Sequence, residues 1–375
     1  MALFKPFDLV AGELFRPMRT FSNILVMIYA VAGISSPLVA TNEFRLSNKC
    51  PNTGLYLDEQ GLCRPIQPYS ETNYKFHGLW KLEQRDIKLD PRQIDLGRLL
   101  FFDPILSKDQ SMSCATCHDP KKAFSGNRPG LRNSPGLINL AYNPKFFWDG
   151  RTESSADQIK EPLTSPLEMA NESVESVTNR INNISIYRNL FAEVQQSKNQ
   201  KSEISWPEIV LAIDSFQKSL VTFTAPYDRY VLGDSAAMTE SQVRGLSLFR
   251  SFATRCAECH TPPLFTNHQI LTVGAPGEAR AFKVPTLRQI AKTAPYTHRG
   301  SFNSLSDVVK FYNEGGGRSR QGISGRNTHW HVRPIGLSNS EETDLVAFLN
   351  ALSDDSWRVE IPDKVPSGLL PRVGN

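Results

Sequence analysis

Two stretches of this chain carry the same rhythm of apolar positions. Asp90-Pro91-Arg92-Gln93 reads as an N-cap, a proline at the first helical position and a capping-box glutamine, leading into Ile94, Leu99, Leu100 and Phe101. Further along, Thr239-Glu240-Ser241-Gln242 opens a second helix through Val243, Leu246, Phe249 and Phe252. Each helix holds a glycine and then a Leu-Phe pair: Gly97 with Leu100-Phe101, and Gly245 with Leu248-Phe249. Each stretch also closes on an amphipathic helix of matching spacing, Ile213, Phe216 and Leu220 against Leu345, Phe348 and Leu352. Strand signals are poor and the 25 prolines favour short helices joined by long loops. The pattern predicts an all-α fold of two domains with separate cores, at about 85–235 and 236–355. An irregular segment at 41–84 precedes them and a C-terminal tail at 356–375 follows.

A different pattern occupies the N-terminus. Basic Lys5, Arg16 and Arg19 precede an apolar run from Phe21 to Ile34, and small residues follow through Ala40. This reads as a signal peptide over residues 1–40. The run is short for a membrane span, which needs about 20 apolar residues; an uncleaved anchor is the alternative. Export to the periplasm is expected.

Between the opening and closing helices of each half lies one pentapeptide, Cys114-Ala-Thr-Cys117-His118 and Cys256-Ala-Glu-Cys259-His260, which together take four of the six cysteines. Two thiols one helical turn apart can add across the two vinyl groups of one porphyrin, and the adjacent imidazole then reaches the iron. Each copy is a haem c attachment signal. A disulfide redox pair and half a zinc site are the alternatives. The expectation is two cytochrome c-type domains, each with one covalently bound haem c, held by Cys114, Cys117 and His118 and by Cys256, Cys259 and His260. Attachment outside the cytoplasm agrees with the leader, and oxidised thiols persist there, so Cys50 and Cys63 can close a small disulfide loop. The formal charge of +4 argues neither for nor against nucleic acid, but no Lys/Arg tract alternates with aromatics, so nucleic-acid binding is excluded.

The histidines separate the two haems. None of the seven lies between His118 and His260. The first iron therefore lacks a second imidazole from downstream in its own half; Met112, Met169 or His77 are the candidates that could cap it. A five-coordinate first haem with an open face, suited to a peroxide, is the favoured reading.

The residues after the first haem motif resemble the bacterial di-haem cytochrome c peroxidase and MauG superfamily. The resemblance is carried by Arg132-Asn133-Ser134-Pro135, Phe147-Trp148-Asp149-Gly150-Arg151, Gln158, Pro162 and Pro166-Leu167-Glu168-Met169. It continues through Val284-Pro285-Thr286-Leu287-Arg288 and Ala294-Pro295-Tyr296-Thr297-His298-Arg299-Gly300, and spans about residues 92 to 352. It implies two cytochrome c domains flanking an interface, the first peroxidatic and the second for electron transfer.

The same resemblance implies roles for single residues. Glu168 is the distal acid/base and Gln158 its polar neighbour; a carboxyl there can move a proton from one peroxide oxygen to the other. From the residue alone, a solvated surface Glu168 is the alternative. Trp148 is implied as an electron relay between the haems, against an ordinary core tryptophan. Asn133, with the carbonyls of Thr293 and Pro295, matches a calcium site in that family, against polar residues that merely close turns. Where typical members place a methionine as sixth ligand of the second haem, this chain has Tyr312, the MauG pattern; a phenolate favours the ferric and higher states. His298 reads as a structural or tuning residue, His329 and His331 as surface residues flanking Trp330, and His268 as lacking a partner at ligand spacing. The MauG pattern also has a tryptophan two residues before the second haem motif, where this chain has Thr254.

Two functions follow. One is an enzyme that reduces hydrogen peroxide with electrons from a small cytochrome c or cupredoxin, or from side chains of a partner protein. The other is a di-haem electron carrier without peroxide chemistry.

Overall fold

The computed structural model describes residues 44–66, 69, 86–127, 132–196, 203–277, 280–319 and 328–374. The expected signal peptide and His77 lie outside the described residues.

Each haem motif is framed by a pair of crossed helices, and a glycine sets each crossing. Helix α1 (Pro91–Phe102) is capped by Asp90, which accepts the Arg92 N–H at 2.8 Å; this bond, rather than a reciprocal box with Gln93, starts the helix. The haem-motif turn α2 (Cys114–Cys117) follows, then α3 (Ser155–Thr164), α4 (Val174–Asn182), α5 (Ser185–Val194), α6 (Trp206–Ser219) and α7 (Pro226–Val231). The second set is α8 (Glu240–Arg250), α9 (Cys256–Cys259), α10 (Leu305–Asn313) and α11 (Asn339–Asn350). Thr239 and Gln242 form the expected capping box on α8. Phe252 is not part of that helix, which ends at Arg250 and leaves the ring 80% exposed.

Helix α1 lies so close on α6 that a Cβ at Gly97 would stand 1.9 Å from the Ala212 carbonyl oxygen. Helix α8 approaches α11 in the same way, with Gly245 1.9 Å from the Asp344 carbonyl oxygen. No side chain fits at either point, which is why both helices carry glycine there despite its cost in a helix interior.

The repeat extends to the aromatic packing beside each crossing. Phe101 and Phe216 have centroids 5.0 Å apart, as have Phe249 and Phe348. A third ring completes each group: Phe124 lies 5.8 Å from Phe101, and Phe265 lies 5.9 Å from Phe249. All six rings are buried, in tilted or edge-to-face arrangements that suit the aromatic quadrupole.

Three findings differ from the expectations. One apolar cluster runs through both halves, joining Phe101, Phe124 and Phe216 to Phe249, Phe265 and Phe348, and a second fills the first half around Leu96, Val177 and Tyr187. The halves therefore share a core. The segment at 41–84 is not wholly irregular: β1 (Leu55–Leu57) pairs antiparallel with β2 (Cys63–Pro65), and a Cys50–Cys63 disulfide ties it down with the Cα atoms 5.6 Å apart. A second ribbon pairs β3 (Ile270–Leu271) with β4 (Phe282–Lys283).

The C-terminal segment is a strap that returns from the second half to the first. Trp357 Nε1 donates to Val221 O at 3.0 Å, and Ser367 Oγ to Asp103 at 2.7 Å. Arg372 N then donates to Phe102 O, and Gly374 N to Ala115 O at 3.0 Å, inside the first haem motif. Ser113 Oγ, at the N-cap of α2, donates to Arg372 O at 2.7 Å. Among the described residues no helix is long and apolar enough to cross a membrane.

Candidate haem centres

The four cysteines of the pentapeptides are not in disulfides. Ser113 caps α2, forming a box with Thr116, and α9 begins at Arg255, whose backbone is left-handed with φ 56°. Burial pushes the Cys114 thiol up to about 12 and the Cys256 thiol up to about 11. A dithiol redox pair needs a stabilised thiolate, so these surroundings oppose that reading and suit neutral sulfur against an apolar group.

Both histidines are held by the same device. His118 Nδ1 lies 2.8 Å from Phe124 O, and His260 Nδ1 lies 3.1 Å from Phe265 O. The two phenylalanines that supply these carbonyls are the third members of the aromatic groups. Both have left-handed backbones, φ 58° and 55°, which turn the carbonyl back towards the imidazole. Burial pushes both imidazoles below their usual range, opposed by the carbonyls of Phe124 and Pro135 for one and of Phe265 and Pro285 for the other. A ring that donates from Nδ1 keeps Nε2 as a free lone pair, the state an iron ligand needs.

A cavity of about 560 Å³ is lined by His118, His260, Cys256, Cys259, Trp148 and Tyr312, so both histidines open on one space. A smaller pocket of about 70 Å³ is lined by Cys114, Cys117, His118, Met112 and Met169. Gln158 on α3 and Glu168 in the loop after it line both. Size, apolar walls, paired thiols and preset imidazoles together fit covalent haem.

Tyr312, on α10, shares the cavity with His260, and burial, reinforced by the nearby Cys259 and Cys256, pushes its phenol well above the usual range. Trp148 lies on the cavity wall, its Nε1 donating to Asn133 O at 2.6 Å. Its centroid is 6.4 Å from His298 and 6.3 Å from Phe282, and the last two rings stack at 4.1 Å. Asn133 Nδ2 donates to Pro295 O at 2.7 Å and to Thr297 O at 3.0 Å, while its buried Oδ1 has no hydrogen-bond partner among the described residues. Asn133 thus meets the carbonyls of Pro295 and Thr297, while the Thr293 hydroxyl donates to Ile290 O at 3.2 Å.

Met112 and Met169 both line the smaller pocket, as does His118. His298 is buried, as a structural residue would be. His331, expected at the surface, is half-buried and lines the large cavity, with Nε2 3.1 Å from the Glu258 carboxylate. The residues missed from the sequence are Phe124 and Phe265. Their signal was a phenylalanine six and five residues after each motif histidine.

The family model of the di-haem cytochrome c peroxidases matches residues 91–236. The chain is 34% identical over 299 residues to the methylamine utilization protein MauG of Methylorubrum extorquens, covering 73% of this chain and 82% of that protein. It is 28% identical to the cytochrome c551 peroxidase of Pseudomonas aeruginosa, covering 75% of this chain and 84% of that protein. Among solved structures, the di-haem peroxidase BthA of Burkholderia thailandensis matches with a TM-score of 0.63 and 25% identity, over 78% of this chain and 93% of that one. The chain belongs to the di-haem cytochrome c peroxidase and MauG family and is an enzyme, a peroxidase-type oxidoreductase.

Proposed function

We propose that this enzyme reduces hydrogen peroxide beside His118, drawing electrons through the centre held by His260 and Tyr312. The observation that carries this reading is the shared cavity, where Glu168 and Gln158 stand with His118, and Trp148 and Tyr312 with His260. Haem, when bound, supplies the iron that activates peroxide and holds oxidising equivalents. Glu168 takes the proton of one peroxide oxygen and returns it to the other, so that the O–O bond breaks with water leaving. Gln158 orients the peroxide by hydrogen bonding. In total two electrons and two protons convert one peroxide into two waters. Trp148 offers an oxidisable ring on the wall of the cavity that both histidines line, and Tyr312 a hard anionic ligand that disfavours the ferrous state of the second centre.

The peroxidatic domain is 85–235 and the electron-transfer domain 236–355, and residues 1–40 direct export to the periplasm. Asn133, with the carbonyls of Thr293 and Pro295, offers neutral oxygens suited to a calcium ion. The reductant is a small cytochrome c or cupredoxin, or side chains of a partner protein as in MauG-type chemistry; Tyr312 favours the second.

The ferric spectrum of the purified protein tests the reading. A high-spin component that reacts with stoichiometric peroxide supports it. Two low-spin centres inert to peroxide leave only an electron carrier.

A further inference from the structure

Helix α6 buries two acceptor oxygens to which no protein group donates. Gln217 is 5% exposed, and its Oε1 has no hydrogen-bond partner among the described residues. Asp214, 8% exposed and three positions earlier, accepts from Lys218 Nζ at 2.6 Å through Oδ2, while its buried Oδ1 likewise lacks a partner there. Residues three apart on a helix are neighbours on its surface, so the two side chains stand one turn apart. Neither oxygen can donate to the other. Buried polar atoms are paired in folded proteins, and where the chain offers no donor the partner is ordered water.

The two residues also mark a direction. Gln217 lines the smaller pocket with Gln158, Glu168 and His118. Asp214 lies on the other side of it, tied to the partly exposed Lys218. At about 70 Å³ the pocket exceeds the 10–15 Å³ or so that one water requires.

The proposed reaction needs such an inlet. Glu168 moves a proton from one peroxide oxygen to the other, which leaves the proton count unchanged. Two further protons enter with the two electrons when one peroxide becomes two waters. We propose that Asp214 and Gln217 hold a file of water that carries these protons from the Lys218 edge of α6 to Glu168. The proposal rests on the peroxidase reading and names the residues that supply its protons. Gln217 is a positioning residue: its amide does not ionise, but Oε1 accepts one O–H of a water and so aims the other into the pocket. For each proton that Glu168 gives to product water, the water on Gln217 donates one to Glu168 and receives one from the water on Asp214.

The test follows turnover of hydrogen peroxide by the full-length di-haem protein with saturating ferrocyanide, a one-electron donor that brings no proton. Two ferrocyanides, one peroxide and two protons give two ferricyanides and two waters. Rates are measured in H2O and D2O for the unaltered enzyme, Gln217→Leu, Gln217→Glu and Asp214→Ala, each at known haem content. Gln217→Leu keeps the bulk and removes the acceptor; its rate should fall about tenfold, less than the 10²–10⁴ of an acid–base group itself. Its solvent isotope effect should rise, because proton supply has become limiting. Gln217→Glu returns an acceptor oxygen and should recover both readings, whereas Asp214→Ala should raise the isotope effect as Gln217→Leu does. Unchanged rate and isotope effect in Gln217→Leu overturn the proposal, and so does a slower rate with an unchanged isotope effect, the mark of a purely structural loss. If Gln217→Leu fails to fold, an unchanged isotope effect in Asp214→Ala overturns it instead. Failure of the peroxidase reading is seen separately, as no ferrocyanide oxidation by the unaltered enzyme.

Discussion

Arg288 Nη1 lies 2.7 Å from each carboxylate oxygen of Asp228, with the two side chains 1% and 0% exposed. Asp228 sits on α7 in the first half and Arg288 follows the second haem motif, so the pair bolts the halves together. Tyr69 donates its hydroxyl to the same Asp228 and accepts from Arg288 Nη2 at 3.0 Å, which ties the segment before α1 into the joint. The Arg288 guanidinium also faces the rings of Phe223 and Phe265 at 5.1 and 5.2 Å.

Arg288→Met should therefore strand a buried carboxylate. The expected loss is about 3–5 kcal/mol, read from denaturant unfolding. A loss under about 1 kcal/mol, the range of surface ion pairs, would mean that water reaches Asp228.

The glycine at each helix crossing should resist even the smallest side chain. Gly245→Ala places a methyl group against the Asp344 carbonyl and is expected to cost about 1–3 kcal/mol by forcing α8 and α11 apart. Thermal unfolding of Gly245→Ala beside Gly97→Ala checks it, since the two crossings are alike and should respond alike.

Replacing Cys114 and Cys117 together with serine should remove one covalent haem and leave the other. The pyridine haemochrome spectrum, set against protein concentration, should fall to half its value. Retention of the full haem signal would dissociate these thiols from attachment.

Glu168→Gln keeps the shape of the side chain and removes its proton shuttle. The reaction with peroxide should slow by about 10²–10⁴, the span of general acid–base catalysis, while haem content stays the same. Stopped-flow mixing with peroxide reads this directly; an unchanged rate sets Glu168 aside.

Tyr312→Met exchanges a hard oxygen donor for a thioether. The second haem should become easier to reduce, which a spectroelectrochemical titration measures as a rise in its midpoint potential. An unaltered potential means that Tyr312 is not a ligand.

The parts of this structure that the sequence made legible are those written in short spacings. The Cys-x-x-Cys-His pentapeptides, the Gly and Leu-Phe echo between α1 and α8, and the matching closing helices all repeat within a few turns. What stayed hidden depends on residues far apart in the chain. Nothing local marks Phe124 or Phe265 as the residue whose left-handed backbone steers a histidine. Nor does any periodicity pair Asp228 with Arg288, or bring Asn133 to the Thr297 carbonyl. Phe252 misled for the opposite reason: its spacing continued the apolar face of α8, but the helix stops first and the ring turns outward.

The strap that closes on α2 makes the flank of the first pentapeptide depend on the far end of the fold. Ser113 and Arg372 stand 259 positions apart in the chain, yet the hydroxyl of one meets the carbonyl of the other, and Ala115 receives the Gly374 N–H. Cutting the chain before residue 365 would take both of those partners away from the first Cys-x-x-Cys-His turn.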